Sequence, residues 1–389
     1  MKFSSLTDRI KGGAADVWDM HYLAKQDKGR GEDVIILSVG DPDFATPDAV
    51  IEKATQAMRA GDTHYTSILG HDLLRETIAE QHCKRSGQAV ESANVITTSG
   101  AQNALFACSL CLLEAGDEAI VLQPMYVTYE ATVQASGATL VPVVLDSASG
   151  FRLDRDVLQA AITERTRAIF YASPSNPTGI ALNRKELEFI AELACQHDLW
   201  VVADEVYAHF VFDGEFEQIA SLPGMSERTV TIGSMSKSYA MSGWRVGWAI
   251  APVELVANLE KLALCMLYGL PGFIQQAAAH ALQNCAADLQ HMHEIYRQRR
   301  DYLFDAFSAM PGLQPLMPDA GMFMMVNVLG TGLNAPEFVR ALYTTTGVSV
   351  LDATAFGASA EGYVRVSYTV SDAELQDACS RIKSFVEQI

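Results

Sequence analysis

Residues 228–250 read RTVTIGSMSKSYAMSGWRVGWAI, and this stretch decides how the rest of the chain is interpreted. Two short apolar runs, 228–233 and 245–250, predict β-strands. The polar segment between them contains Lys237. The second strand follows closely enough to pair antiparallel with the first at the edge of a sheet. Lys237 is then expected just beyond the carboxyl end of the first strand.

The residues before this stretch have the pattern of an α/β protein. Five more apolar runs predict strands at 94–98, 118–122, 139–144, 167–171 and 199–203. Helix-like stretches lie between them, at 101–114, 127–136, 155–161 and 184–197. Strands that alternate with helices favour a parallel sheet covered by helices. The prediction is a mainly parallel seven-stranded sheet with helices on both faces.

The C-terminal part has a different pattern. Long helices are predicted over 253–300, and they are followed by strand 322–328, helix 335–345, strand 364–368 and helix 372–388. This last piece is too small for an independent core. We therefore expect a small α+β domain built from both chain ends. The predicted bounds are 1–45 for the N-terminal arm and part of the small domain, 46–290 for the large domain, and 291–389 for the small C-terminal domain.

Composition narrows the possible partners. The 389 residues carry a formal net charge of −19, whereas nucleic acids and anionic membranes both require a basic surface. No apolar run approaches the roughly 20 residues of a membrane span, and residues 1–11 are too polar for a signal peptide. We expect a cytoplasmic protein that binds neither nucleic acid nor membrane.

The cysteines do not suggest a disulfide framework or a metal site. There are seven, an odd number scattered along a long chain. Cys108 and Cys111 form a C-x-x-C pair in an apolar setting without a second pair, which favours helix packing over metal or redox chemistry.

Polar residues with catalytic potential follow one predicted strand after another. They are Ser99, Gly100 and Ala101 after strand 94–98, Tyr126 after 118–122, Asn176 after 167–171, Asp204 after 199–203, and Ser234 to Lys237 after 228–233. The carboxyl ends of parallel strands face one crevice, so we expect these residues to meet there.

Lys237 has unusual neighbours for a lysine. An isolated lysine is normally a solvated surface charge, but this one lies between Ser236 and Ser238, with Arg245 eight positions further on. Hydroxyls and an arginine bind phosphate, and an amine can attack an aldehyde. The segment therefore predicts a phosphorylated aldehyde cofactor.

Other strand ends offer groups for such a cofactor. Asp204 ends an apolar strand, and it either caps the next turn or keeps a pyridine nitrogen protonated; Tyr207 would face the same crevice. Asn176 lies in SPSNPTG at 173–179, which is either a plain rigid turn or a support that fixes an amide against the ring. Ser99 and Gly100 precede a helix, where they form either a simple N-cap or an anion site.

Together these motifs resemble the class I and II aminotransferases, the aspartate-aminotransferase-like family of pyridoxal-phosphate enzymes. The resemblance runs from SVGDPDF at 38–44 to YVRVS at 363–367. The S-x-S-K…W-R-x-G segment at 234–247 is its most specific part, and DEVY at 204–207 and NPTG at 176–179 are specific in combination. The resemblance implies pyridoxal 5′-phosphate as cofactor and a homodimer that transaminates an amino acid with a 2-oxo acid by a ping-pong mechanism.

The resemblance also implies a role for each matching residue. Lys237 would bind the cofactor as a Schiff base and transfer the proton, Asp204 would pair with the pyridine nitrogen, and Tyr207 would bind the ring oxygen together with Asn176. The implied phosphate ligands are Gly100, Ala101, Gln102, Ser234, Ser236, Arg245 and, from the partner subunit, Tyr65. Tyr126 would stack on the ring. Arg365, Asn176 and the Gly40 backbone would bind the substrate.

Alternatives remain open for single residues. Tyr65 and Tyr126 also fit core aromatics, and Arg365 also fits a surface strand. Some relatives have a hydroxyl or basic side chain where this chain has Ala101 and Gln102, so phosphate contacts there are expected to be mainly through the backbone.

The choice of substrate follows from a narrower resemblance. PMYVTYE at 124–130, LALCMLYG at 262–269 and GVSVL at 347–351 are similar to arginine–pyruvate transaminases, which implies L-arginine as donor and pyruvate as acceptor. A guanidinium group needs a carboxylate. Asp16 and Asp19 are candidates, although both also fit a solvated helix face.

Three other functions are considered. The first is an aminotransferase for glutamate, alanine or an aromatic amino acid. The second is a pyridoxal-phosphate β-lyase, because the fold and the lysine motif do not fix the reaction. The third is a non-catalytic cofactor-binding regulator, which would be expected to carry a fused DNA-binding domain.

Overall fold

The computed structural model describes residues 1–11 and 15–389, without the side chains of residues 15 and 16. The side chain of Asp16 therefore lies outside the described residues. The strands are β1 (Ile35–Ile36), β2 (Val95–Thr98), β3 (Glu118–Gln123), β4 (Thr139–Val144), β5 (Thr166–Ala172), β6 (Trp200–Asp204), β7 (Thr229–Ser234), β8 (Gly247–Ile250), β9 (Gln314–Pro315), β10 (Phe323–Asn327), β11 (Val348–Ser349), β12 (Leu351–Asp352) and β13 (Tyr363–Ser367).

The described residues also form fourteen α-helices. They are α1 (Leu6–Arg9), α2 (Asp19–Gly29), α3 (Asp48–Arg59), α4 (Asp72–Ser86), α5 (Ala101–Leu112), α6 (Thr128–Ala135), α7 (Arg155–Ala160), α8 (Arg184–Gln196), α9 (Met235–Ser238), α10 (Val253–Met266), α11 (Gly272–Asn284), α12 (Ala286–Ser308), α13 (Ala335–Thr346) and α14 (Asp372–Val386). Short 3₁₀ turns connect several of them, including Ala15–Trp18 immediately before α2.

The central sheet has seven strands in the order β2-β8-β7-β6-β5-β3-β4. Strands β3 to β7 are parallel to one another, and β8 is antiparallel to both β7 and β2. The prediction of a mainly parallel α/β sheet is confirmed. The edge position predicted for strand 245–250 is wrong, because β2 pairs along the other side of β8, from Val95 opposite Ile250 to Thr98 opposite Gly247.

Both faces of this sheet are apolar, which explains why helices cover both. Side chains alternate along a strand, so Ile169 packs into the core on one face while its neighbour Phe170 packs into the core on the other. The first core includes Ile190 of α8, and the second includes Leu105 of α5. A parallel sheet needs this cover because it has no solvent face.

Residues from both ends of the chain pack together in a further core. Strand β1 pairs with β11 in a parallel two-stranded sheet, and Leu37 shares a hydrophobic cluster with α12, α13 and α14. A four-stranded sheet, β12-β13-β10-β9, lies in the same C-terminal part. The domain bounds 1–45, 46–290 and 291–389 stay a prediction.

The described residues contain neither a membrane-spanning helix nor a cluster of metal ligands. None of the helices found there is long and apolar enough to cross a membrane. No group of three or more His, Cys, Asp or Glu side chains in that part of the chain is placed to hold a metal ion. Cys108 is buried in the core with its thiol pKa raised by burial.

Candidate active site

A cavity of about 480 Å³ opens at the carboxyl ends of the parallel strands. Its volume lies within the range of roughly 300–1,000 Å³ that is usual for small-molecule sites. Strands β2 and β7 run in the same direction because each is antiparallel to β8, so their ends reach the cavity together. Twelve predicted site residues line it: Gly40, Ala101, Gln102, Tyr126, Asn176, Asp204, Tyr207, Ser234, Ser236, Lys237, Arg245 and Arg365.

Lys237 lies in the one-turn helix α9, directly after β7. Its Nζ donates a hydrogen bond of 2.7 Å to the carbonyl oxygen of Gly40. Burial lowers the pKa of the amine to about 8, with an opposing contribution from Asp41. An amine with this pKa is partly neutral near physiological pH, which is the form that reacts as a nucleophile or base.

Asp204 is 5% exposed at the end of β6. Burial raises the pKa of its carboxyl to about 6, and two hydrogen bonds limit the rise. Tyr129 of α6 donates one of them from its hydroxyl over 2.8 Å, and the backbone N–H of Val206 donates the other over 3.3 Å. These donors stabilise the carboxylate in a place where it would otherwise be costly.

Arg365 is held at the centre of β13, and it is 2% exposed. Its Nη1 donates to Oδ1 of Asn176 over 2.8 Å, and its Nη2 donates to the carbonyl oxygen of Ser38 over 2.9 Å. The guanidinium carbon lies 4.2 Å from the centre of the Phe323 ring. Burial lowers the guanidinium pKa to about 10, so the group is still charged at neutral pH.

One nitrogen of this guanidinium has no partner. The buried Nε of Arg365 makes no hydrogen bond with any described residue. A buried donor without an acceptor is costly. The arginine is therefore suited to a ligand that brings an oxygen acceptor into the cavity.

A second set of donors gathers around the start of α5. Gly100 precedes this helix with φ +79°, and a Cβ on it would overlap the guanidinium of Arg245. Ser234 and Ser236 lie beside it, with their hydroxyls 2.9 Å apart. Free N–H groups at a helix start, two hydroxyls and a guanidinium together make an anion site.

The side chain of Gln102 has a structural task. Its Nε2 donates to the hydroxyl of Thr132 over 3.0 Å, and its Oε1 accepts from the hydroxyl of Thr128 over 2.7 Å. The amide therefore fastens α5 to α6, the helix that carries Tyr129. Because both ends of the amide are engaged, the backbone N–H groups at the start of α5 are the part left to contact an anion. The sequence predicts the same, that phosphate contacts here are mainly through the backbone.

Tyr65 lies away from the cavity. It is 86% exposed, and its ring packs beside that of Tyr268 at 4.9 Å between ring centres. The structure contains one chain, so contact of Tyr65 with a partner's phosphate site stays a prediction.

Among the residues at the cavity that were not predicted from the sequence, four bear on its chemistry. Phe323 stacks on Arg365 and fills the space that a Cβ on Gly40 would need. Tyr129 bonds to Asp204, and both Trp18 and Asp41 line the wall. The spacing of Tyr126 and Tyr129, three residues apart at a helix start, is a signal that places both on one face.

The family model for aminotransferase class I and II matches residues 32–382. The chain belongs to the class I and II aminotransferases. This confirms the family resemblance, and it shows that the chain is an enzyme of the transaminase type that depends on pyridoxal phosphate.

This aminotransferase is similar to known proteins that support its place in the family. It is 50% identical to an arginine–pyruvate transaminase of Pseudomonas aeruginosa over 382 residues, which cover 98% of this chain and 97% of the relative. It is 36% identical to an aspartate aminotransferase of Pyrococcus abyssi, with 92% of each chain covered. The solved aspartate aminotransferase of Thermus thermophilus with maleate superposes with a TM-score of 0.94 at 32% identity, covering 99% of this chain and all of that one.

The residues of this aminotransferase fit pyridoxal phosphate chemically. The cavity combines an amine with a lowered pKa, a carboxylate near neutral pH and an anion site at one end. An aldehyde, a pyridine nitrogen and a phosphate are the complementary groups. The lack of a side chain at Gly100 leaves the anion site open, because a Cβ there would displace Arg245.

Proposed function

We propose that this protein transfers the α-amino group of L-arginine to pyruvate. The observation that carries the proposal is the 50% identity, over nearly the whole of both chains, to an arginine–pyruvate transaminase. Relatives that are named for aspartate or aromatic amino acids are less similar, at 33–36% identity. An amino acid and a 2-oxo acid are therefore the expected partners.

The predicted cofactor residues have chemistry that suits each part of pyridoxal phosphate. We assign Lys237 to the aldehyde, Asp204 to the pyridine nitrogen, and Tyr207 with Asn176 to the ring oxygen. Because Oδ1 of Asn176 accepts from Arg365, the NH₂ side of this amide is left as a donor for that oxygen. Tyr126 lines the same cavity and is assigned to the ring face, and the α5 start, Ser234, Ser236 and Arg245 are assigned to the phosphate.

Arg365 is proposed to bind the α-carboxylate of the substrate. Its Nε is a buried donor without a partner among the described residues, and a carboxylate supplies the missing acceptor. A bidentate contact fixes the orientation of the amino acid as well as its position. The carbonyl of Gly40 lies at the same end, where it now accepts from Lys237.

Lys237 is proposed to move the proton. Pyridoxal phosphate, when bound, withdraws electrons from the α-carbon of an attached amino acid and so acidifies its C–H bond. The neutral amine of Lys237 would take the proton from that carbon and return it to the cofactor side. A pKa lowered to about 8 favours this task, because a larger fraction of the amine is then unprotonated near neutral pH than in an ordinary lysine.

We also propose that the protein is a cytoplasmic homodimer that shares its active sites. The exposed Tyr65 and its neighbour Tyr268 form an aromatic patch beside a surface groove. A second copy packed on this patch would bring its own Tyr65 toward the anion site. Analytical ultracentrifugation would show whether the protein is a dimer. A Tyr65→Phe substitution should weaken the retention of the cofactor without dissociating the dimer.

A panel of donors and acceptors tests the function. Purified enzyme with pyridoxal phosphate would be given L-arginine or L-tyrosine with either pyruvate or 2-oxoglutarate, L-alanine with 2-oxoglutarate, and L-glutamate with pyruvate. We expect the highest kcat/KM for L-arginine with pyruvate, parallel lines in double-reciprocal plots, and L-alanine as product. A faster reaction of glutamate or tyrosine would replace the proposed donor. Pyruvate or ammonia released without an acceptor would instead indicate a lyase.

A further inference from the structure

The charges on the cavity wall disfavour a second carboxylate on the substrate. Three cations line the cavity, Lys237, Arg245 and Arg365. The proposed function assigns them to the aldehyde, the phosphate and the α-carboxylate. Among the residues that the structure describes, no cation on this wall is left for an acidic side chain. The remaining wall favours a neutral or cationic one.

Trp18 occupies a fixed place on this wall. Its indole packs against the imidazole of His21 in a T-shaped arrangement, with ring centres 5.8 Å apart and planes at 82°. Nδ1 of His21 is 2.9 Å from the hydroxyl of Ser38, and the carbonyl of Ser38 accepts from Arg365. The indole is therefore connected through two residues to the arginine that is proposed to hold the α-carboxylate.

Asp41 adds a negative charge to the same cavity. It lines the wall, and it lies near enough to Lys237 to raise the pKa of that amine. Its carboxylate makes no hydrogen bond or ion pair with another described residue. Asp204, the other acidic residue of the wall, is engaged by Tyr129. Asp41 is thus the carboxylate that a substrate cation can reach.

We infer that Trp18 and Asp41 form a subsite that selects a guanidinium side chain. The inference rests on the proposed function, and it assigns to these two residues the selection of L-arginine as the amino-group donor. A guanidinium is planar and weakly hydrated, and it stacks on the face of an indole. The carboxylate attracts the same group by charge. A neutral side chain of equal length gains from neither effect.

Binding of two unreactive ligands tests the subsite. 5-Guanidinopentanoate is arginine without the α-amino group, and 5-ureidopentanoate has nearly the same shape without the charge. Titration calorimetry on the enzyme loaded with pyridoxal phosphate would give a Kd for each. In Trp18→Leu we expect the preference for the guanidino ligand to fall roughly 3–30-fold. In Asp41→Asn we expect a fall of about threefold or more.

Two further variants separate recognition from folding. Tyr22→Leu removes a neighbouring aromatic that is exposed and does not line the cavity, and it should keep the native preference. Trp18→Phe keeps an aromatic face and should lose less of the preference than Trp18→Leu. Equal weakening of both ligands in Trp18→Leu and Asp41→Asn would overturn the subsite and would assign Trp18 to packing alone.

The outcome also distinguishes the subsite from the function on which it rests. If the native enzyme transaminates L-arginine but neither substitution changes the preference, the subsite is wrong and the function stands. If the native enzyme neither prefers the guanidino ligand nor transaminates L-arginine, the proposed donor is wrong, and the subsite falls with it.

Discussion

The floor of the cavity (Lys237, Asp204, Asn176 and Arg365) and its open end (Trp18 and Asp41) are built in different ways. Each floor residue is placed by a strand or by the turn that follows one, and each has a hydrogen-bond partner. The open end comes from a 3₁₀ turn and a loop, and Asp41 is exposed there, whereas Asn176, Asp204 and Arg365 of the floor are buried. Burial therefore shifts the pKa values at the floor, whereas the open end acts on them only through the charge of Asp41, which raises the pKa of Lys237.

This difference predicts a division of labour. Substitutions at the floor should change the rate of the chemical step or its pH dependence for every donor. Substitutions at the open end should change which donor is preferred. Four substitutions test where that division holds, and the first is expected to have the largest effect.

Removal of the amine at the floor should have the largest effect. We expect Lys237→Ala to lower kcat by at least roughly 10³-fold, because no other group takes over the proton transfer. The absorbance band of the bound cofactor should also shift, since the amine that joins it is gone. Circular dichroism would show that the protein stays folded. Lys261→Ala, which removes an exposed surface lysine, should retain native activity; a near-native rate in Lys237→Ala would disprove the assignment.

Removal of the guanidinium should follow in size. We expect Arg365→Ala to lower kcat/KM by roughly 10²–10³-fold with every donor, because the α-carboxylate loses a buried charged partner. Two acceptors, the Ser38 carbonyl and Asn176 Oδ1, would also lose their donor. Steady-state kinetics with two donors would check it. An unchanged kcat/KM would mean that another residue binds the carboxylate, and a loss confined to arginine would move Arg365 to the side-chain end.

The floor residues that follow strands of the large sheet could be predicted from the sequence. Every strand of the large sheet begins and ends within about two residues of its predicted bounds, since each is a short apolar run between polar turns. Parallel strands with common direction bring their ends to one edge. That rule is enough to gather Asn176, Asp204 and Lys237, although 28 residues or more separate them in sequence.

The residues of the open end and the exact strand order could not be predicted from the sequence. The interior place of β8 depends on which partner β2 chooses, and that pairing joins residues about 150 positions apart. Trp18 reaches the cavity only because the N-terminal turn packs on β12 and its neighbours. Tyr129 is a buried aromatic, and only the position of its hydroxyl in the folded chain makes it a partner of Asp204. Such contacts are decided by tertiary packing, which local patterns do not contain.

A smaller effect should come from removing the hydrogen bond that Tyr129 donates to Asp204 of the floor. The Tyr129 hydroxyl lowers the pKa of Asp204, which burial has raised to about 6. We expect Tyr129→Phe to raise that pKa further, so the acid limb of the kcat/KM profile should move to higher pH by about one unit. The loss would be larger at pH 6 than at pH 8. Tyr171→Phe, at a buried tyrosine near Glu205 instead, should leave the limb in place; a shift toward lower pH in Tyr129→Phe would contradict the prediction.

The smallest effect should come from removing the charge of Asp41, at the open end, which raises the pKa of Lys237 at the floor. In the enzyme freed of its cofactor, burial gives Lys237 a pKa of about 8, and Asp41 keeps it from falling lower. Only the neutral amine attacks an aldehyde, so association with pyridoxal phosphate should speed up as the pH rises toward 8. Asp41→Asn removes the charge that favours the protonated amine, so the half-maximal rate should occur at lower pH, by about half a unit. Stopped-flow absorbance between pH 6 and 9 would measure it, with Asp19→Asn, at an exposed carboxylate of α2, as the matched control. An unchanged midpoint would confine Asp41 to the open end and make the two regions electrostatically independent.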